Sequence, residues 1–308
     1  MRSSKRWSGF RSVLCAVDFS ALSQLALQYA EAVAGRGKAP LQVLYVNDPL
    51  LIAAAAAALH DWQLAKRSAG ELRRFIDETV VAKMKQRPRL KSSVSMGNPS
   101  DEILKAVARN RADLIVLGTH GLTGADRLLM GSTTLSVLQR ARVPVLAVPR
   151  TTEGLTAPVS LSWPGPTVLA AVDLEPGATE EVKRAARIAE WFGSSLVLAH
   201  VVSEIATPAW LRADLSAHDR IRIAQAEQEM RALAALVQRR VKTDVRVVCG
   251  NAADEIAALA SAEGTRLVLT GLRDRRGWFG AKRGSVSYHV LSHAVTPVLA
   301  CPPGWWPR

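Results

Sequence analysis

The chain is poor in cysteine. It has three, Cys15, Cys249 and Cys301, and each falls in an apolar, strand-like run. Buried thiols in a reducing compartment explain that placement better than a disulfide framework does. No apolar run reaches the roughly 20 residues that a membrane-spanning helix needs. The basic start (Arg2, Lys5, Arg6, Arg11) leads into an apolar stretch that meets Asp18 after five residues, too short for the core of a secretory signal. A soluble cytoplasmic protein with no membrane span is expected. Two phosphate signatures are absent as well: there is no G-x-x-x-x-G-K-[ST] and no G-x-G-x-x-G. No motif sets a nucleophile beside a base or gathers metal ligands, so catalysis is not indicated.

What is present is length, apolar content and positive charge. At 308 residues and 48% hydrophobic, the chain suits two domains of about 150 residues, each with its own core. Lys and Arg number 40 against 27 Asp and Glu, a net charge of +13 that favours anionic partners without choosing among them.

One stretch organises the rest. Leu114-Ile115-Val116-Leu117 is an unbroken apolar run, suited to a parallel strand buried on both faces. Gly118-Thr119-His120-Gly121 follows, and nine residues after Gly121 comes Gly131-Ser132-Thr133, at the start of a short helix over 132–139. Strand, glycine-marked loop and helix N-terminus together form a place where a phosphate is welcome, through free N–H groups and the positive end of the helix dipole. Gly35-Arg36-Gly37-Lys38 resembles such a loop but follows a helix and precedes a strand, so a helix C-terminal cap is expected there.

In chain order, strands are expected at 12–17, 41–46, 90–96, 114–117 and 143–148, with helices between them. Ser20 is expected to cap the first helix, and Asn98 a later one with Pro99 at its first position. The six alanines at 53–58 read as helix-forming filler. Residues 151–166 read as a linker. Then the pattern returns: Asp173 stands 155 residues after Asp18, Gly250-Asn251 stands 153 after Gly97-Asn98, and 296–300 repeats 143–147 at that same spacing. This is an internal duplication. Each half reads as a parallel sheet flanked by helices, with ligands expected beyond the strand carboxyl ends.

These residues resemble the universal stress protein family of the UspA type, in a tandem arrangement that covers nearly the whole chain. The family motif G-x2-G-x9-G-[ST] is intact as Gly118, Gly121, Gly131 and Ser132. The resemblance implies an α/β fold of two Rossmann-like domains, at 1–150 and 167–308, with each sheet in the order 3-2-1-4-5. It further implies that the halves pack as an intrachain pseudo-dimer, with a further homodimer and a protein partner both open. The implied ligand is an adenine nucleotide (ATP, AMP or ADP, with or without Mg2+). Its site residues are Asp18, Val46, Gly118, His120, Gly121, Gly131, Ser132 and Thr133. A regulatory binding protein is implied more than an enzyme; slow ATP hydrolysis and self-phosphorylation stay open.

The second copy departs from the motif. Gly271 is followed by Asp274 where the second glycine belongs, then by Gly284-Ser285 at the right spacing. A carboxylate facing a phosphate is repulsive, yet the same loop carries Arg273, Arg275, Arg276, Lys282 and Arg283. A second anion site is therefore read from Asp173, Gly271, Arg275, Arg276, Gly284 and Ser285, for a non-nucleotide anion or a lipid head group. Charge-driven nucleic-acid association is the other alternative, weakened by the lack of any recognised nucleic-acid module. His289 and His293 have zinc-compatible spacing but no third ligand. Trp305-Trp306 is expected to dock on the protein's own surface or on a partner.

Overall fold

The computed structural model describes residues 7–59, 64–80, 88–120, 130–150, 162–205, 216–272 and 286–307. The chain divides into two compact units, Gly9–Trp163 and Pro164–Arg308, the second joined by Met1–Ser8. Trp7 explains why the N-terminal segment belongs there: its ring lies 5.3 Å from Trp191 and 6.3 Å from Trp305. Trp163, by contrast, packs edge-on against Tyr29 at 5.0 Å and belongs to the first unit.

In the first unit β1 (Val13–Val17) pairs in parallel with β2 (Leu41–Asn47) and β4 (Leu114–Gly118). Next, β2 pairs with β3 (Leu90–Met96), and β4 with β5 (Val145–Val148). The order is β3-β2-β1-β4-β5. Strands β1, β4 and β5 are apolar and almost wholly buried, as strands covered on both faces must be. Among the described residues β3 pairs with β2 alone, and its Lys91 and Ser92 are exposed. The order reverses between β1 and β4, so their carboxyl ends open on a common crevice.

Helix α1 (Ala21–Gly37) starts where Ser20 accepts a hydrogen bond from the Ser23 N–H, and buries Leu25, Leu27, Ala30 and Val33. It ends at Lys38, whose left-handed backbone (φ 51°) sends its N–H to the Ala34 and Gly35 carbonyls. The cap expected among 35–38 is thus Lys38, and both glycines lie inside the helix. Helices α2 (Pro49–Leu59) and α3 (Leu64–Thr79) lie between β2 and β3; the alanine run falls in α2. Helix α4 (Pro99–Asn110) is capped by Asn98, which accepts from the Ser100 and Asp101 N–H groups. Before it, Gly97 has φ 146°, and a Cβ there would lie 3.2 Å from Glu102 Cγ. Only glycine suits that turn. Helix α5 (Ser132–Arg140) then leads to β5.

The second unit repeats the plan in β6 (Thr167–Ala171), α6 (Ala178–Phe192), β7 (Ser195–Ser203), α7 (Ser216–Ala235), β8 (Thr243–Gly250), α8 (Ala252–Ala262), β9 (Val268–Gly271), α9 (Val286–His293) and β10 (Val298–Cys301). Its strand order, β8-β7-β6-β9-β10, is again 3-2-1-4-5 counted from β6. All three cysteines lie in strands: Cys15 and Cys301 are buried and Cys249 half-buried. No described helix is long and apolar enough to cross a membrane.

Candidate functional site

At the crevice of the first unit lies a cleft of about 200 Å3. It is lined by Asp18 and Tyr45 at the ends of β1 and β2, by Val46, by Gly118 at the end of β4 and His120 beyond it, and by Gly131, Ser132 and Thr133 at the start of α5. Seven of the eight residues read from the sequence are therefore neighbours. Gly121 lies outside the described residues.

Short hydrogen bonds fix this arrangement. The Thr119 N–H donates to the Val148 carbonyl at 2.9 Å, and the Gly131 N–H donates to the Thr119 carbonyl at 2.8 Å. The chain thus leaves the sheet and returns to it at one bonded point. Thr134, in the first turn of α5, donates its hydroxyl to the Gly118 carbonyl at 2.7 Å and is buried. That bond holds the N-terminus of α5 against the end of β4. Gly118 is required by packing rather than by backbone angle: a Cβ there would meet Leu22 Cγ of α1 at 2.9 Å. The residue capping α5 is Gly131, with no side-chain cap hydrogen bond, and Ser132 is exposed.

Asp18 is more than a polar strand end. Its Oδ1 accepts from the Ser20 N–H at 3.1 Å and from the Ser20 hydroxyl at 2.5 Å, while Ser20 Oγ accepts from the Ser23 N–H. The carboxylate is held at the cleft by the same serine that starts α1. Next to it, Phe19 adopts φ 65°, a strained choice for a bulky residue and one that clusters at functional positions. Its ring lies 4.3 Å from Tyr45 and 5.5 Å from Phe75. Burial, then the Asp18 and Asp48 carboxylates, push the Tyr45 phenol up from its ordinary value. It stays protonated and able to donate. Phe19, Tyr45 and Thr134 lie outside the glycine motif, so no motif points to them. Thr119 Oγ1 and His120 Nδ1 are 2.9 Å apart.

The equivalent place in the second unit is built differently. Ser287 in α9 donates to the Gly271 carbonyl at 2.5 Å, the counterpart of Thr134 and Gly118 at a separation of 153 residues. But α6 starts five residues after Asp173, whereas α1 starts three after Asp18. Glu181, eight residues after Asp173, lies over the strand-end glycine where Leu22, four residues after Asp18, lies in the first unit. A Cβ on Gly271 would lie 1.5 Å from Glu181 Oε1. Burial raises the Glu181 carboxyl to about 7, against the lowering effects of Arg184 and of a hydrogen bond from the Gly271 backbone. A cleft of about 720 Å3 opens here, lined by Asp173, Glu181, Arg184, Gly271, Trp305 and Trp306 among others. Asp173 and Gly271 are thus brought together; Arg275, Arg276, Gly284 and Ser285 lie outside the described residues, as does the side chain of His289. His293 is exposed, and no group of three metal-ligating residues occurs among the described residues. The terminal tryptophans dock on the protein itself: Trp305 meets Trp7, and the Arg187 guanidinium sits 5.1 Å from the Trp306 ring centre.

Known proteins match both halves. The sequence pattern of the Universal stress protein family matches residues 9–149 and again 166–302. A universal stress protein of Mycolicibacterium smegmatis is 25% identical over 298 residues, covering 94% of this chain and 97% of that protein. One of Methanocaldococcus jannaschii is 28% identical over 144 residues, 45% of this chain and 82% of its own length. Among solved structures, a universal stress protein from Archaeoglobus fulgidus superposes with a TM-score of 0.62. It is 20% identical and covers 95% of this chain and 98% of its own.

Proposed function

Because the chain belongs to the universal stress protein family, we propose that its first unit binds an adenine nucleotide and that the protein acts through that binding rather than by catalysis. The observation that carries this reading is the convergence, on one cleft, of Asp18, Val46, Gly118, His120 and the 131–133 turn. Each has a part to play. Asp18, held by Ser20, accepts hydrogen bonds from ribose hydroxyls. The Val46 carbonyl, past the last pair of β1 with β2, offers the adenine amino group an acceptor, with the Tyr45 ring beside it. Phosphates approach the backbone at Gly131, where no side chain intervenes, and meet the N–H groups and dipole of α5, with the Ser132 and Thr133 hydroxyls as further donors. The cleft's volume suits the nucleoside part, and the phosphates extend toward α5. With no three-ligand metal cluster among the described residues, Mg2+ would arrive on the phosphates rather than in a protein cage.

Calorimetric titration of the full chain with ATP, AMP and GTP tests this. Adenine nucleotides should bind and GTP should bind at least about tenfold more weakly, the usual effect of leaving a site's polar groups unpaired. Asp18→Ala should weaken binding by about 1.5–3 kcal/mol, the range for lost hydrogen bonds to a charged group. Equal affinity for ATP and GTP, or an Asp18→Ala protein that binds normally, contradicts the assignment.

A further inference from the structure

The second unit keeps a cleft at the same place in the fold but with other chemistry. Its volume, about 720 Å3, lies within the range of small-molecule sites. Three classes of ligand can be weighed against its walls. A phosphate meets the Glu181 carboxyl directly over Gly271, with Asp173, Glu175 and Glu180 also lining the cleft. A polyanion is repelled there. A cation is drawn by those acidic groups at the rim but, deeper in, meets Arg184, which also lines the cleft and is only 9% exposed. Burying a second positive charge beside a guanidinium is unfavourable. A neutral ligand meets neither objection.

The polar groups then say what kind of neutral ligand. Arg184 Nε has no hydrogen-bond partner among the described residues, and a buried donor left so is a standing cost that an acceptor relieves. Glu181 stands three residues away on the same helix, its carboxyl able to accept. A donor and an acceptor one helical turn apart, with Arg184 near enough to lower the Glu181 carboxyl, can serve the two ends of a flat lactam or amide edge, in which C=O and N–H stand side by side. Trp305 and Trp306, in the segment after β10, supply aromatic surface for the flat face of such a ring.

We propose that this cleft binds a neutral planar heterocycle of the nucleobase kind, paired edge-on with Glu181 and Arg184 and stacked against the terminal tryptophans, and that it rejects the phosphorylated form. The proposal does not depend on the nucleotide reading of the first unit, because Glu181, Arg184 and Trp306 all belong to the second. Uridine and guanosine are the probes, since their bases carry the lactam edge and neither is the ligand assigned to the first unit.

The experiment is calorimetric titration of the full chain with each nucleoside and with its 5′-triphosphate. At least one nucleoside should bind at one per chain, and its triphosphate about tenfold more weakly or worse. Trp306→Ala should weaken the nucleoside at least about fivefold, as loss of a stacking ring does. Glu181→Leu, which copies the leucine over Gly118 in the first unit, should abolish binding, while Glu181→Gln, which keeps an acceptor oxygen, should retain it. If Glu181→Leu fails to fold, Trp306→Ala and the triphosphate comparison decide. No nucleoside binding at millimolar concentration, binding indifferent to Trp306→Ala, or a triphosphate that binds as well as its nucleoside overturns the proposal.

Discussion

At the scale of single residues, the two strand-end glycines show how one substitution in a neighbour changes a site. Over Gly118 lies Leu22, close enough that any Cβ would collide. Gly118→Ala should therefore lower stability by about 1–3 kcal/mol, the range for overpacking, and Leu22→Ala in the same chain should recover part of that loss. Denaturant unfolding of the single and double variants measures the coupling; strict additivity would mean the two do not touch. Over Gly271 lies Glu181, whose carboxyl is raised from 4.5 to about 7, chiefly by burial. Its folded value lies above its unfolded one, so the folded protein holds a proton that the unfolded chain releases. The resulting stability is fully present below about pH 4.5 and is lost as pH rises through about 7. Glu181→Gln keeps the oxygen that accepts from Gly271 and removes the titration. Its stability relative to the parent should grow between pH 5 and 7 and level off above, at roughly 3 kcal/mol for a shift of this size. Thermal unfolding across that range should show the gap opening; a gap independent of pH would place Glu181 in water.

At the scale of elements, a hydroxyl in the first turn of the helix that follows the fourth strand ties it back to that strand in both units, through Thr134 and Gly118 and through Ser287 and Gly271. Thr134→Val preserves shape and leaves the Gly118 carbonyl without that donor. It should cost about 1–3 kcal/mol and weaken nucleotide binding as well, because α5 carries the phosphate end of the proposed site. Hydrogen exchange at residues 132–136 reads the loosening; unchanged protection there would show that the bond does not hold the helix.

The elements also show what a sequence displays and what it hides. β1 and β4 were legible because a strand covered on both faces must be apolar throughout. The caps at Ser20 and Asn98 were legible because capping is local chemistry. The conjunction of Asp18 with the glycine loop needed the strand order that the family resemblance supplied. Lys38 was not legible as a left-handed cap, with two glycines beside it better suited to the angle. Nor was Glu181: its position depends on a longer β6–α6 connection and the phase of α6 together, and neither is visible in a motif. Phe19 and Tyr45 meet through tertiary packing alone.

At the scale of the whole molecule, duplication has produced two folds of one plan with two different clefts. The first keeps Asp18, Gly118, Gly131 and Ser132 around a small pocket. The second has filled the matching place with a carboxyl of raised pKa and walled it with tryptophans. The net charge of +13 attracts anions at long range but does not distinguish the halves, whereas the clefts do. The central claim is that nucleotide binding belongs to the first unit alone. Titration of the full chain with ATP, beside the Gly131→Val variant, tests it most directly. Gly131 has φ −57°, an angle valine also adopts, so the added side chain should obstruct the phosphates without disturbing the fold. The expected result is one ATP per chain in the parent and none in the variant, with unfolding curves that coincide. Two equivalent sites in the parent, or unchanged affinity in Gly131→Val, would contradict it.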